Sequence, residues 1–187
     1  MKVYVTAVGN MHREKRLANP TLDDTVQRAM TGFKRLQGER KDARAPVTAE
    51  VMLRLRAALD STTWRKYDTA LLWSAFTLAW CGYLRVSEYA SPNANSFDPV
   101  ITLRCCDVEV TPDRVTVLLK SSKTDQFAHG YRLQLLATDN EICPVQAMAI
   151  FWNLRSKLSA TNKPLFMFED GSYLTNKIVD DTLKYPL

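Results

Sequence analysis

The sequence predicts an α+β chain, mostly helical, with one small three-stranded antiparallel sheet. Three observations predict it. Apolar residues recur at three- and four-residue spacing through much of residues 2–81, the period of helices with one apolar face. Between 106 and 137 the pattern switches to short β-branched or alternating runs, "CDVEV", "RVTVLL" and "YRLQLLA", parted by turn residues as strands require. After Pro144 the helical period returns.

Taken in order, residues 2–17 read as a helix with Val5, Val8 and Met11 on one face. "ANPT" breaks it, and Thr21 or Asp23 can cap a second helix through Gly38. There Val26, Met30 and Phe33 mark a stripe expected to be buried. "GERKDARAP" (38–46) is charged, holds no apolar residue larger than alanine, and reads as an exposed linker. The domain boundary is therefore placed at 44/45. Thr48 caps a third helix with Val51, Leu55 and Leu59 on one face. A nearly all-apolar helix from about Trp64 to Cys81 is the expected core element, ended by Gly82. A short helix begins near Arg85 or Val86. The three strands follow, with "KSSKTDQFAHG" (120–130) as the loop between the second and third. Pro144 opens an amphipathic helix. "PLFMFEDGSYLT" is an extended piece turning at Asp170-Gly171, and Thr175 caps a last helix.

Composition narrows the function. With 46% apolar and 24% charged residues in 187, the chain belongs with globular proteins and not disordered ones. Its most apolar run, 69–84, is too short and interrupted for a membrane span, and no secretory signal opens the chain. An intracellular place, nucleus or cytoplasm, is expected. Cys81, Cys105, Cys106 and Cys143 form no C-x-x-C pair and have no histidine beside them, so no metal site and no cofactor are expected. Charge is uneven: residues 1–66 hold fourteen Lys/Arg against seven Asp/Glu, whereas the remainder holds eleven against thirteen. A basic first third suits a polyanion partner, although two solvated basic helices would give the same count.

Two motifs carry chemistry. "WCGYLRVSEY" (80–89) puts Arg85 at the start of a helix with Glu88 one turn on. A guanidinium presents a planar fork to a phosphate and stays charged when partly buried, and Glu88 can hold that fork in one orientation. An ordinary i, i+3 ion pair has the same spacing. "LLKSSKTDQ" sets Lys120 and Lys123 among Ser121, Ser122 and Thr124, an ammonium-and-hydroxyl loop suited to a nucleic-acid backbone and equally normal in a solvated turn.

The order of "CGYLRVSEY", the hairpin "KSSKTDQFAHG", "CPVQAM" and "PLFMFEDGSYLT" resembles the tyrosine recombinase (phage integrase) family, and within it the eukaryotic mobile-element, Crypton-like branch. The resemblance implies that 45–187 is part of a tyrosine recombinase catalytic domain and that 1–44 holds the last helices of a core-binding (SAM-like) domain. It implies Arg85 as the first catalytic arginine, Glu88 as its structural partner, and Lys123 as the catalytic lysine. Double-stranded DNA is the implied partner, contacted through Arg13, Lys15, Arg16, Lys34, Arg35, Lys120, Ser122 and Thr124, with a homo-oligomer on DNA as a further form. The family's chemistry is a metal-free transesterification: a tyrosine attacks phosphorus, arginines stabilise the developing charge, and lysine protonates the leaving 5′ oxygen.

The departures weigh equally. The H-x-x-R cluster and the nucleophilic tyrosine that come after the last helix in the family have no match in that place: His12 lies in the first helix and His129 in the hairpin loop, and Tyr173 and Tyr185 precede the nucleophile's place. The expectation is a C-terminally truncated recombinase that binds DNA and does not cleave it alone. The alternative is a helical regulatory or scaffold protein that holds protein partners and has no DNA activity.

Overall fold

The computed structural model describes residues 2–38, 46–121, 129–158 and 162–184. They fall into two compact units, Met1–Pro46 and Val47–Leu187, each with its own architecture.

The first unit is two helices, α1 (Lys2–Glu14) and α2 (Asp24–Gln37), joined through a 3-10 turn at Pro20–Leu22. Asn19 caps the turn, its Oδ1 accepting from the Thr21 N–H at 3.0 Å. Asp23 caps α2 by accepting from the Thr25 N–H at 2.8 Å. Gly9 is the buried residue among those described in this unit, and a Cβ there would come within 3.1 Å of Thr21 Oγ1. The stripe expected to be buried is not: Val26 and Met30 are half-buried and Phe33 is exposed. Two short helices enclose too little volume to hide an apolar face.

The second unit contains α3 (Ala49–Ser61), α4 (Lys66–Gly82), α5 (Val86–Tyr89), β1 (Val108–Val110), β2 (Arg114–Leu119), β3 (Tyr131–Leu136), α6 (Pro144–Arg155) and α7 (Asn176–Lys184). Its described residues are mostly helical with one three-stranded sheet, antiparallel in the order β1-β2-β3. Register places Val117 between Val108 and Leu133, and Leu119 opposite Tyr131.

Helix α4 is the central element, with an unbroken buried run from Leu71 to Leu78. It packs on α6, which brings Met148 and Phe151, and on α3, which brings Met52, Leu55 and Leu59. Val51, expected on the inner face of α3, is only half-buried, and Met52 takes the place instead. The sheet adds Val115, Val117 and Leu135. Small polar residues let the helices approach: Ser74 Oγ donates to the Ala70 and Ala147 carbonyls at 2.7 and 2.8 Å, so its hydroxyl is satisfied though fully buried.

The extended piece expected at 164–175 is present as a clip. The Leu165 N–H donates to Leu103 O, the Leu174 N–H to Phe166 O, and the Ser91 N–H to Leu174 O, at 2.8, 3.0 and 2.8 Å. It turns at Asp170-Gly171, where Gly171 takes φ +87°, and Thr175 Oγ1 then accepts from the Ile178 N–H in the first turn of α7. Arg155, at the end of α6, is buried and anchors the clip, donating from Nε to Leu165 O at 3.1 Å and from Nη2 to Pro164 O at 3.2 Å. Among the described residues, no helix is long and apolar enough to cross a membrane.

Arg155→Met retains bulk and removes these two bonds to the clip. It should lower unfolding free energy by about 2–3 kcal/mol, because two buried carbonyls lose charged donors. A urea midpoint within experimental scatter of the parent would show that the clip does not depend on this side chain.

Candidate functional site

The site is built at the corner between α4 and α5. Gly82 is the last helical residue, and a Cβ there would lie 2.8 Å from Leu133 Cδ2 on β3. The helix was expected to end on this glycine; its left-handed cap falls instead on Tyr83, at φ 51° and ψ 36°. A side chain in that conformation costs about 1 kcal/mol or more.

Arg85 is the N-cap of α5, and the acid one turn on closes around it. Glu88 Oε2 accepts from the Arg85 N–H at 2.8 Å, and Oε1 accepts from Arg85 Nη1 at 3.1 Å. The Glu88 side chain is almost fully buried, whereas that of Arg85 is 46% exposed. The carboxylate thus fixes one edge of the guanidinium and leaves it accessible. Such a fork, held but open, can take a phosphate oxygen.

Arg85 lies on a cleft of about 550 Å³ with Tyr83, Glu88, His129, Tyr131 and Leu133. Tyr83 is 94% exposed and Tyr131 63%. Two exposed rings and an anchored cation therefore line the same cleft. His129, Tyr83 and Tyr131 join the cleft without a signal in the sequence. Helical period carries no information about a corner residue, and Tyr131 read simply as a strand residue.

A second acid–base cluster stands at the ends of β1 and β2. Asp107 Oδ2 accepts from the Arg104 N–H at 2.9 Å and from Arg104 Nε at 3.2 Å, while Oδ1 accepts from Nη2 at 3.3 Å. Lys120 Nζ donates to Asp107 Oδ2 at 2.6 Å, to Thr102 O at 3.3 Å, and to Pro99 O. Burial alone would push the Asp107 carboxyl up, but the hydrogen bonds from Arg104 and Lys120 outweigh it and hold it below the usual carboxylate range.

The expected site residues divide accordingly. Arg85 and Glu88 meet in the cleft. Lys123, Ser122 and Thr124 lie outside the described residues. Lys120 is tied into the Asp107 cluster, with its side chain 18% exposed. Arg13, Lys15 and Arg16 close α1, and Lys34 and Arg35 sit in the last turn of α2. All five are exposed on the first unit, and Arg16 takes the left-handed cap at φ 55°. Tyr173 is buried, with its hydroxyl accepting from Lys163 Nζ at 3.3 Å. Among the described residues no group of His, Cys, Asp or Glu is placed to hold a metal ion.

The Asp107 cluster sets a pH dependence. A carboxyl held below its ordinary value stabilises the fold fully above about pH 4 and loses that contribution as pH falls through the folded value. Asp107→Asn should lower stability by about 1–2 kcal/mol at pH 7, and its deficit relative to the parent should shrink by pH 3. Paired urea titrations check it; a deficit unchanged with pH would remove the ionic cluster as its source.

No protein-family model matches this sequence. Among curated proteins, an integrase/recombinase xerD homolog from Selenomonas ruminantium is 27% identical over 149 residues, covering 77% of this chain. The chain spans 39% of that relative's length. Among solved structures it is similar to an FLP recombinase–Holliday junction complex, at 13% identity and a TM-score of 0.48, over 88% of this chain and 43% of that one. The match to a curated integrase/recombinase supports kinship of this chain with the tyrosine recombinase/integrase family.

Proposed function

We propose that this chain is a DNA-binding portion of a tyrosine recombinase, of the Crypton-like branch, acting in DNA recombination and integration. The single observation that carries the proposal is the guanidinium of Arg85, anchored by a buried carboxylate and left open on a cleft. The curated relative gives independent support at the level of the family.

In this reading Arg85 takes a backbone phosphate oxygen, and Glu88 keeps the fork aimed so that less rotamer freedom is lost on binding. Lys123 would supply the proton for a leaving oxygen, and Ser122 and Thr124 would add phosphate contacts. The first unit, as the end of a core-binding domain, would add nonspecific affinity through Arg13, Lys15, Arg16, Lys34 and Arg35. Lys120 is proposed as a structural residue that holds the end of β2, since carbonyls and a carboxylate already occupy its ammonium.

The one H-x-x-R in these 187 residues, His129-Gly130-Tyr131-Arg132, runs into β3, ahead of α6 and α7 and not after the last helix where the family carries its second cluster, so the proposal gives it no catalytic role and gives Tyr83 and Tyr131 no nucleophilic one. Strand cleavage and a covalent phosphotyrosine then need groups supplied from outside this sequence. Recruitment of further copies on DNA is part of the same reading.

The test is fluorescence-anisotropy binding to a 30-base-pair duplex across a salt series. Affinity should fall steeply with salt through counterion release. Arg85→Ala should weaken binding roughly tenfold or more, as loss of a charge-assisted phosphate contact requires, and should flatten the salt slope by about one unit. Lys177→Ala, an exposed cation on α7, should change little. Equal losses at both positions would reduce the interaction to bulk charge, and no binding at low salt would overturn the proposal.

A further inference from the structure

Resting on the reading of the Arg85 cleft as a phosphate site, we infer that the cleft is built for DNA carrying an unpaired base, with Tyr83 as the stacking surface. Tyr83 is almost wholly exposed, its backbone is held in the left-handed region, and it lies on the cleft that contains the Arg85 guanidinium. Strain of this kind at an exposed aromatic is not explained by packing, since a ring in open solvent gains nothing from it. Asparagine or glycine would occupy the same cap with less strain.

The second ring comes from a different element. Tyr131 opens β3 opposite Leu119 and is also exposed on the cleft. Two rings beside one anchored cation match what a nucleotide displays outside a helix: a π face with an anionic phosphate next to it. In an uninterrupted duplex the base faces are covered by their neighbours, so only the phosphate is available. A base extruded from the stack offers both, and base–aromatic stacking is favourable whichever base is present. The preference is therefore for an unpaired base and not for a sequence.

The experiment compares three probes in anisotropy titrations at fixed salt: a 30-base-pair duplex, the same duplex with one bulged base, and the single strand. The parent should bind the bulged duplex roughly tenfold more tightly than the uninterrupted one, within the range one stacked base supplies. Tyr83→Phe should retain that preference, because it keeps the ring. Tyr83→Gly and Tyr83→Asn should erase it, leave duplex affinity unchanged, and melt at or above the parent's temperature, since both relieve the backbone. Arg85→Ala should weaken both duplexes by the same factor.

Equal parent affinity for the two duplexes overturns the inference, as does a preference that survives in both Tyr83→Gly and Tyr83→Asn. A preference lost in Tyr83→Phe also overturns it, because the phenol hydroxyl and not the ring would then be the contact. Failure of the underlying reading is separate: Arg85→Ala would leave duplex affinity untouched, whatever Tyr83 does.

Discussion

Two buried carboxylates organise the second unit at the start of α5 and just ahead of β1. Glu88 and Asp107 each sit three residues after an arginine, and each accepts from that arginine's backbone N–H, at 2.8 and 2.9 Å. Each also accepts from its guanidinium, at 3.1 and 3.2 Å. A carboxylate out of water is unfavourable unless its lone pairs are occupied. Here one local arrangement does this twice, at the start of α5 and at the turn before β1. The backbones that carry them meet, since the N–H of Leu103, one residue before Arg104, donates to the Glu88 backbone carbonyl at 2.8 Å. Loss of either acid would strand a guanidinium and open a backbone donor together.

The difference between the two pairs decides what each can do. Asp107 receives a third donor, Lys120, so its cluster is saturated and partly covered. Glu88 binds its own arginine, and that arginine remains almost half exposed. The first arrangement fixes the ends of the sheet, whereas the second presents charge to a cleft. Arginine is needed at 85 for this division of labour. One edge of a planar guanidinium can bond inward while the others stay available, which the point charge of a lysine cannot reproduce with fixed direction.

Much of this was legible in the sequence, and the limits have physical causes. The three strands and the long core helix announce themselves by period, and "RVSE" announces a capped arginine. The same R-x-x-acid spacing recurs as "RCCD" at 104–107, but it lies between elements where no period directs attention. Lys120 and Lys123 look alike in sequence; only the fold shows that the first is committed to Asp107. Buried Arg155 was equally hidden, since it follows an apolar helix and invites reading as a solvated C-terminal charge. The stripe Val26–Met30–Phe33 shows the opposite limit: amphipathic spacing reports that a face is apolar, not that anything described here covers it.

The corner at 82–83 shows how one constraint displaces another. A helix that ends beside a strand needs a residue without a side chain where the two backbones approach, and it needs a left-handed residue to turn the chain. Glycine answers both requirements, but here they fall on neighbouring positions. Close approach takes Gly82, because a Cβ at that point would collide with Leu133. The left-handed turn therefore falls on Tyr83. A second glycine at 83 would satisfy the backbone fully, so local geometry alone does not select tyrosine. What remains to select it is the position the turn gives its ring: outward, unpacked, and two residues from the one arginine in this cleft that a buried acid holds open.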